Sequence, residues 1–223
     1  MHNHEHDIHD HCCHGVIDEL VCHFPYAIFS LSISFIVLTM ISALAVNSVS
    51  SASYYALFHT FHYLHIVFAG VGTVITFFRF SRNFARGIVV SFLSPIVFCV
   101  LSDVIMPYLG GTAVGITMKL HICFYHEFTN IGVFLLAGIL TGFALIYHGS
   151  HTQSSKFFAR WAHFWHILLS SLASMFYMVA SGFEMWMPHI GVAFVILVVG
   201  VVVPCTLSDV IVPVVVARSG KNK

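Results

Sequence analysis

Apolar residues fall into six long runs separated by short polar breaks, at about 25–46, 55–78, 87–109, 128–148, 158–181 and 190–215. A helix needs about 20 apolar residues to cross the hydrocarbon of a bilayer, and each run reaches that length. Backbone in lipid must satisfy its own hydrogen bonds, which makes such runs helices. The pattern predicts an all-α polytopic membrane protein with six transmembrane helices. A further stretch at 112–127 is only moderately apolar and reads as a short interfacial or re-entrant piece.

Composition strengthens this reading. The chain is 58% hydrophobic and 8% charged, whereas soluble domains carry about a quarter charged residues. Its formal net charge is zero and it has no basic stripe, so nucleic acid is not an expected partner. The lipid bilayer is, and a homo-oligomer is compatible with the sequence. Residues 1–20 contain no Lys or Arg and are polar, unlike a secretory signal peptide.

Basic residues set the expected orientation. Arg79, Arg82 and Arg86 follow the second run, Lys156 and Arg160 the fourth, and Arg218, Lys221 and Lys223 the sixth. With six helices these groups share one side, and only Lys119 lies on the other. Both termini are therefore predicted to be cytoplasmic.

The most informative pattern is an internal repeat. His62-Tyr63-Leu64-His65-Ile66 returns as His163-Phe164-Trp165-His166-Ile167, an offset of 163 − 62 = 101. Cys99-Val100-Leu101-Ser102-Asp103-Val104-Ile105-Met106-Pro107 returns as Cys205-Thr206-Leu207-Ser208-Asp209-Val210-Ile211-Val212-Pro213, an offset of 205 − 99 = 106 with seven of nine positions identical. Each unit holds three runs, and an odd number reverses the second unit in the membrane. The expected organisation is two inverted three-helix repeats, as in many secondary transporters. Repeat 1 covers 25–111 and repeat 2 covers 128–217, between a His/Cys-rich disordered tail at 1–24 and a basic tail at 218–223.

Asp103 and Asp209 are the only acidic residues inside the six runs, at equivalent places. An intramembrane carboxylate is costly and points to ion coordination or proton carriage, unless it only joins helices. Cys99 and Asp103 are four apart, as are Cys205 and Asp209, which puts each pair on one helix face. His62 and His65, and His163 and His166, are three apart and also share faces. If the second helix of each unit packs on the third, each repeat assembles two His, one Cys and one Asp. Such a set suits Zn²⁺, and mixed nitrogen and sulfur ligands also accept Co²⁺, Ni²⁺ or copper. From the expected depths, one set should lie near each membrane face, as successive stations of one pathway.

Proline cannot donate to the carbonyl four residues earlier. Pro107 and Pro213 are therefore expected to free the carbonyls of Asp103 and Asp209, as extra ligands or hinges. His59, His126 and Glu127, with His121 nearby, are candidates for a pathway or outer vestibule. In the N-terminal tail, His2, His4, His6, His9, His11, Cys12, Cys13 and His14 read as metal-binding on composition.

Three functions follow from these features. The first is a secondary transporter of a divalent transition metal, zinc before others, coupled to protons and working by alternating access. The second is a membrane redox protein holding haem b between His residues. The third is a proton-coupled transporter of an organic substrate, or a metal sensor. No His-Glu-x-x-His, Gly-x-Ser-x-Gly or Gly-Lys-Ser/Thr signature is present, so an enzyme is not expected outside the redox alternative.

Overall fold

The computed structural model describes residues 16–44, 50–121, 127–149 and 154–219, with side chains described from Phe24 onward in the first helix and from Phe164 onward in the sixth. Among the described residues every regular element is a helix. They are α1 (Val16–Leu44), α2 (Ser51–Phe80), α3 (Phe84–Val100), a π-turn (Leu101–Ile105), α4 (Met106–Ala113), α5 (Phe128–Gly149), α6 (Ser154–Ala180), a 3₁₀ turn (Met187–His189), α7 (Ile190–Thr206), a second π-turn (Leu207–Ile211) and α8 (Val212–Ser219). α3, its π-turn and α4 form one continuous span, as do α7, its π-turn and α8.

Five of these spans are long and apolar enough to cross a membrane, and the described part of α6, Phe164–Ala180, is an apolar helix as well. Their outer faces are hydrocarbon. Val195, Val199 and Val203 repeat every four residues on α7 and are exposed, as are Leu136 and Leu140 on α5 and Leu93 and Val97 on α3. Exposed apolar stripes of this size would aggregate in water, and lipid is the solvent that fits them. The chain is an integral membrane protein.

α2 is the central helix. Ser50 caps its start by accepting from the Ser53 N–H. It runs antiparallel to α6: Ser51 Oγ donates to the Ala180 carbonyl at 3.2 Å, while fourteen residues further along α2 His65 meets His166. On another side it packs against α5 through glycines. A Cβ at Gly138 would stand 2.4 Å from the Val67 carbonyl oxygen, so only glycine permits this approach. α1 lies along α6 and α7, with Phe29 against Phe164 and Phe35 against Phe194.

Arg79 and Arg218 come together at one end, both over the Phe80 ring, at 5.6 and 5.3 Å. At the opposite end, the stretch after α4 folds back on the bundle. The Lys119 N–H donates to the Ser181 carbonyl at 2.8 Å, and Gly182, at φ +127°, turns beneath Thr117. The segment expected to be interfacial or re-entrant is thus non-helical backbone from Ile116 to His121 laid across the bundle end; residues 122–126 lie outside the described residues.

Of the tail expected over 1–24, the described part, Val16–Phe24, belongs to α1. The run from Val16 to Phe24 has no glycine or proline and spaces apolar residues at helical intervals, which extends the helix below Pro25. Residues 1–15, with all the tail ligands, lie outside the described residues.

The glycine contact makes a prediction. Gly138→Ala should lower stability by about 1–3 kcal/mol through overpacking, whereas Gly132→Ala, with nothing within 4 Å of its added Cβ, should leave it unchanged. Thermal unfolding in detergent measures both.

Candidate metal centre

Both copies of the Leu-Ser-Asp-Val-Ile motif form π-turns, and proline explains why. In an α-helix the Pro107 ring would clash with the carbonyl four residues earlier. One extra residue in the turn relieves this, and the Met106 N–H bonds the Leu101 carbonyl five residues back. The next bond in that ladder would run from residue 107 to Ser102, and Pro107 has no N–H to make it. The freed carbonyl is therefore that of Ser102, and by the same register Ser208, rather than those of Asp103 and Asp209 expected from α-helical spacing. Other helices satisfy them. Ser174 Oγ on α6 donates to the Ser102 carbonyl at 3.1 Å and Ser94 Oγ on α3 to the Ser208 carbonyl at 3.0 Å; Thr73 Oγ1 on α2 stands 3.3 Å from that second carbonyl, with the Ala69 carbonyl of its own helix nearer at 2.8 Å.

These bonds cross between repeats. Thr73 and Ser174 differ by the offset of the His motif, 101, and Ser102 and Ser208 by the offset of the second motif, 106. The second helix of each repeat thus brings a hydroxyl against the π-turn of the other.

The π-turns point the two aspartates into the bundle, where Asp103 is fully buried and Asp209 is 3% exposed. Asp103 Oδ2 lies 2.8 Å from His62 Nδ1 and 2.7 Å from His65 Nδ1. Its Oδ1 accepts from Ser102 Oγ and Ser170 Oγ, each at 2.8 Å. In repeat 2, His166 Nδ1 lies 2.5 Å from Asp209 Oδ2. Gly72 makes room for that carboxylate, since a Cβ there would come within 2.7 Å of Oδ2.

The two sets were expected near opposite membrane faces. They are instead joined: His65 Nε2 lies 2.8 Å from His166 Nε2. The expected depths placed His65 near one end of its helix and His166 near the opposite end. α2 starts at Ser51 and α6 ends at Ala180, so both histidines lie near mid-helix, where the antiparallel pair brings equivalent positions together. Cys99 Sγ and Cys205 Sγ, one from each repeat, both stand 3.7 Å from His65 Nε2. Ligand atoms of His65, His166 and Cys205 all fall within 4.8 Å of one another, and so do those of His62, His65 and Asp103.

This arrangement has a chemical consequence. An ionised carboxylate only accepts hydrogen bonds, so each histidine facing an aspartate presents Nδ1–H to it and keeps Nε2 as the lone-pair nitrogen. At the His65–His166 contact two lone pairs then face each other at 2.8 Å, which is repulsive unless a proton or a cation lies between. Carboxylate on one ring nitrogen and a cation on the other is the usual arrangement of a metal-binding histidine. Asp103, with both oxygens engaged, orients histidines rather than offering itself as a ligand.

Zn–N bonds near 2.0 Å and Zn–S bonds near 2.3 Å in a tetrahedron put S···N at about 3.6 Å and N···N at about 3.3 Å. The 3.7 Å contact of Cys205 with His65 already fits, and the nitrogen pair needs to open by about 0.5 Å. Cys99, which is 3.7 Å from His65 but outside the mutually close group of His65, His166 and Cys205, would have to move in to serve as the fourth ligand. A haem fits poorly, because its disc would have to pass between two nitrogens in hydrogen-bond contact with two thiols alongside.

Of the other sequence candidates, the side chains of His163 and His126 and all tail ligands lie outside those described. His59 and Glu127 sit apart from the centre, toward the end that carries His121, and are only partly buried. Sequence reading missed Gly72, Thr73, Ser94, Ser102, Ser170, Ser174 and Ser208. Ser102 and Ser208 lie inside the repeated motif, and Thr73 and Ser174 stand at the repeat offset, so the repeat itself carried their signal. Compared with known families, curated proteins and solved structures, the chain matches none.

Removing Asp103 should leave two buried histidines without their carboxylate. Asp103→Ala is expected to cost about 3–5 kcal/mol, as for other broken buried pairs, and Ser170→Ala about 1 kcal/mol for one hydrogen bond. Unfolding of the purified variants in detergent gives the comparison.

Proposed function

We propose that the chain is a secondary transporter of a divalent transition-metal ion, zinc before others, coupled to protons and working by alternating access. The observation that carries this reading is the 2.8 Å contact between His65 and His166, equivalent residues of a sequence repeat, with a cysteine from each repeat beside it. The bound ion would take His65, His166 and Cys205 as ligands, with Cys99 as the fourth.

Several features support movement at this site over a static one. Its ligands come half from each repeat, so displacement of one repeat against the other remakes the coordination. The antiparallel meeting of α2 and α6 supports an inverted repeat, and inverted repeats commonly rock around a midplane site. Each half has a π-turn and a proline beside the centre, and π-turns often mark functional sites. The full burial of His65 and His166 is what an occluded state requires.

The facing lone pairs supply the coupling. A proton and a metal ion compete for the same gap, and a thiol loses its proton on becoming a ligand. Metal arrival therefore expels protons, and a proton gradient can drive metal the other way. The gathering of Arg79 and Arg218 at one end supports that end as cytoplasmic, with both chain termini on the same side.

Zinc flux into proteoliposomes, read with an internal zinc dye, tests this reading. Wild-type protein should carry zinc, accelerate under an opposing pH gradient and release protons on zinc binding. His65→Ala and His166→Ala, checked for intact folding by gel filtration, should each abolish flux. Undiminished flux in both variants would show the reading to be wrong.

A further inference from the structure

The centre is closed to both faces, so an ion needs a way in. We propose that His59, His121 and Glu127 form an access station for the metal at the end of the bundle opposite the arginines, passing it along α2 through His62 to the centre. This rests on the transport reading above and adds a place and a direction to it.

Three elements bring these residues together. His59 is on α2, His121 is on the backbone that folds across the bundle end, and Glu127 immediately precedes α5. The His59 and His121 rings stand edge to face at 5.6 Å, with Tyr55 5.6 Å from His121 and Tyr63 5.9 Å from His59. Glu127 is within electrostatic reach of both histidines. All three are only partly buried, as an access point requires.

The group is also held in place. The His121 N–H donates to Tyr177 Oη at 3.2 Å, and Asn130 Nδ2 donates to Glu127 Oε2 at 2.5 Å. The Asn130 bond, with a further one from Tyr63, keeps the Glu127 carboxyl below its usual range, so it carries its charge at neutral pH. Two imidazoles and a carboxylate are hard-to-borderline ligands suited to a hydrated divalent ion.

His62 connects this group to the centre. It lies three residues along α2 from His59, on the same face. Its Nδ1 is on Asp103, which it shares with His65. Its Nε2 is buried and has no hydrogen-bond partner among the described residues. A buried nitrogen left so is costly unless something visits it, and a passing cation is such a visitor. At the repeat offset, 59 + 101 = 160, the sequence has Arg160 in place of a histidine.

The test uses full-length protein with the tail ligands replaced and with Cys12, Cys13, Cys22 and Cys123 changed to Ser, so that cobalt–thiolate absorption reports only Cys99 and Cys205. Co²⁺ is mixed in a stopped-flow, and its release is followed with a chelator. In a His59→Ala/His121→Ala/Glu127→Gln variant, association and dissociation should both slow by about ten-fold, a typical gain from charged funnelling, with the final spectrum and affinity unchanged. A path, unlike a ligand, changes both rates equally. Unchanged rates, or a change in affinity or spectrum without matched slowing, overturns the proposal. If the triple variant does not fold, Glu127→Gln alone, at a partly exposed position, gives the same comparison. Absence of the thiolate band in the parent protein would instead count against the central site itself.

Discussion

Asp103 and Asp209 sit at the middle of a bundle whose outer faces are hydrocarbon. An ionised carboxylate at that depth costs about 3 kcal/mol even on insertion scales, so each must be surrounded by donors. Asp103 has four: two imidazoles and two hydroxyls. Those donors come from α2, α6 and the motif itself, and that requirement draws the helices to one point. Once the carboxylates hold the imidazoles by Nδ1, each histidine turns Nε2 away from its aspartate, and those of His65 and His166 face each other.

The prolines serve the same end. Each forces a π-turn, and each π-turn frees a serine carbonyl that a hydroxyl from the other repeat then satisfies. This makes the two repeats mutually dependent, because neither can close its own backbone. This seam is polar, in contrast to the glycine packing of α2 on α5, and the candidate site lies in it.

Much of this was legible in the sequence. The six apolar runs correspond to the helices, since lipid leaves the backbone no alternative, and the repeated His and Asp motifs mark the buried centre. Two things were not legible. Depth was judged from run boundaries, and α2 and α6 begin four residues before the expected 55–78 and 158–181, so His65 and His166 lie near mid-helix and meet. The π-turn was hidden as well, because α-helical spacing assigns the freed carbonyl to Asp103 instead of Ser102. The partner hydroxyls escaped notice because serine and threonine in a membrane helix ordinarily bond their own helix, as Ser34 and Thr39 do and as Thr73 also does at Ala69. Only at the repeat offset do Thr73 and Ser174 stand out.

The central claim is that one ion binds between the repeats with nitrogen and sulfur ligands. X-ray absorption at the zinc edge, on zinc-loaded protein whose tail histidines and cysteines are replaced, addresses it directly. The account predicts one zinc per chain, with nitrogen scatterers near 2.0 Å and sulfur near 2.3 Å, and loss of the sulfur shell in Cys99→Ala/Cys205→Ala. A shell of oxygen and nitrogen alone in the parent protein, or no bound zinc, would contradict it.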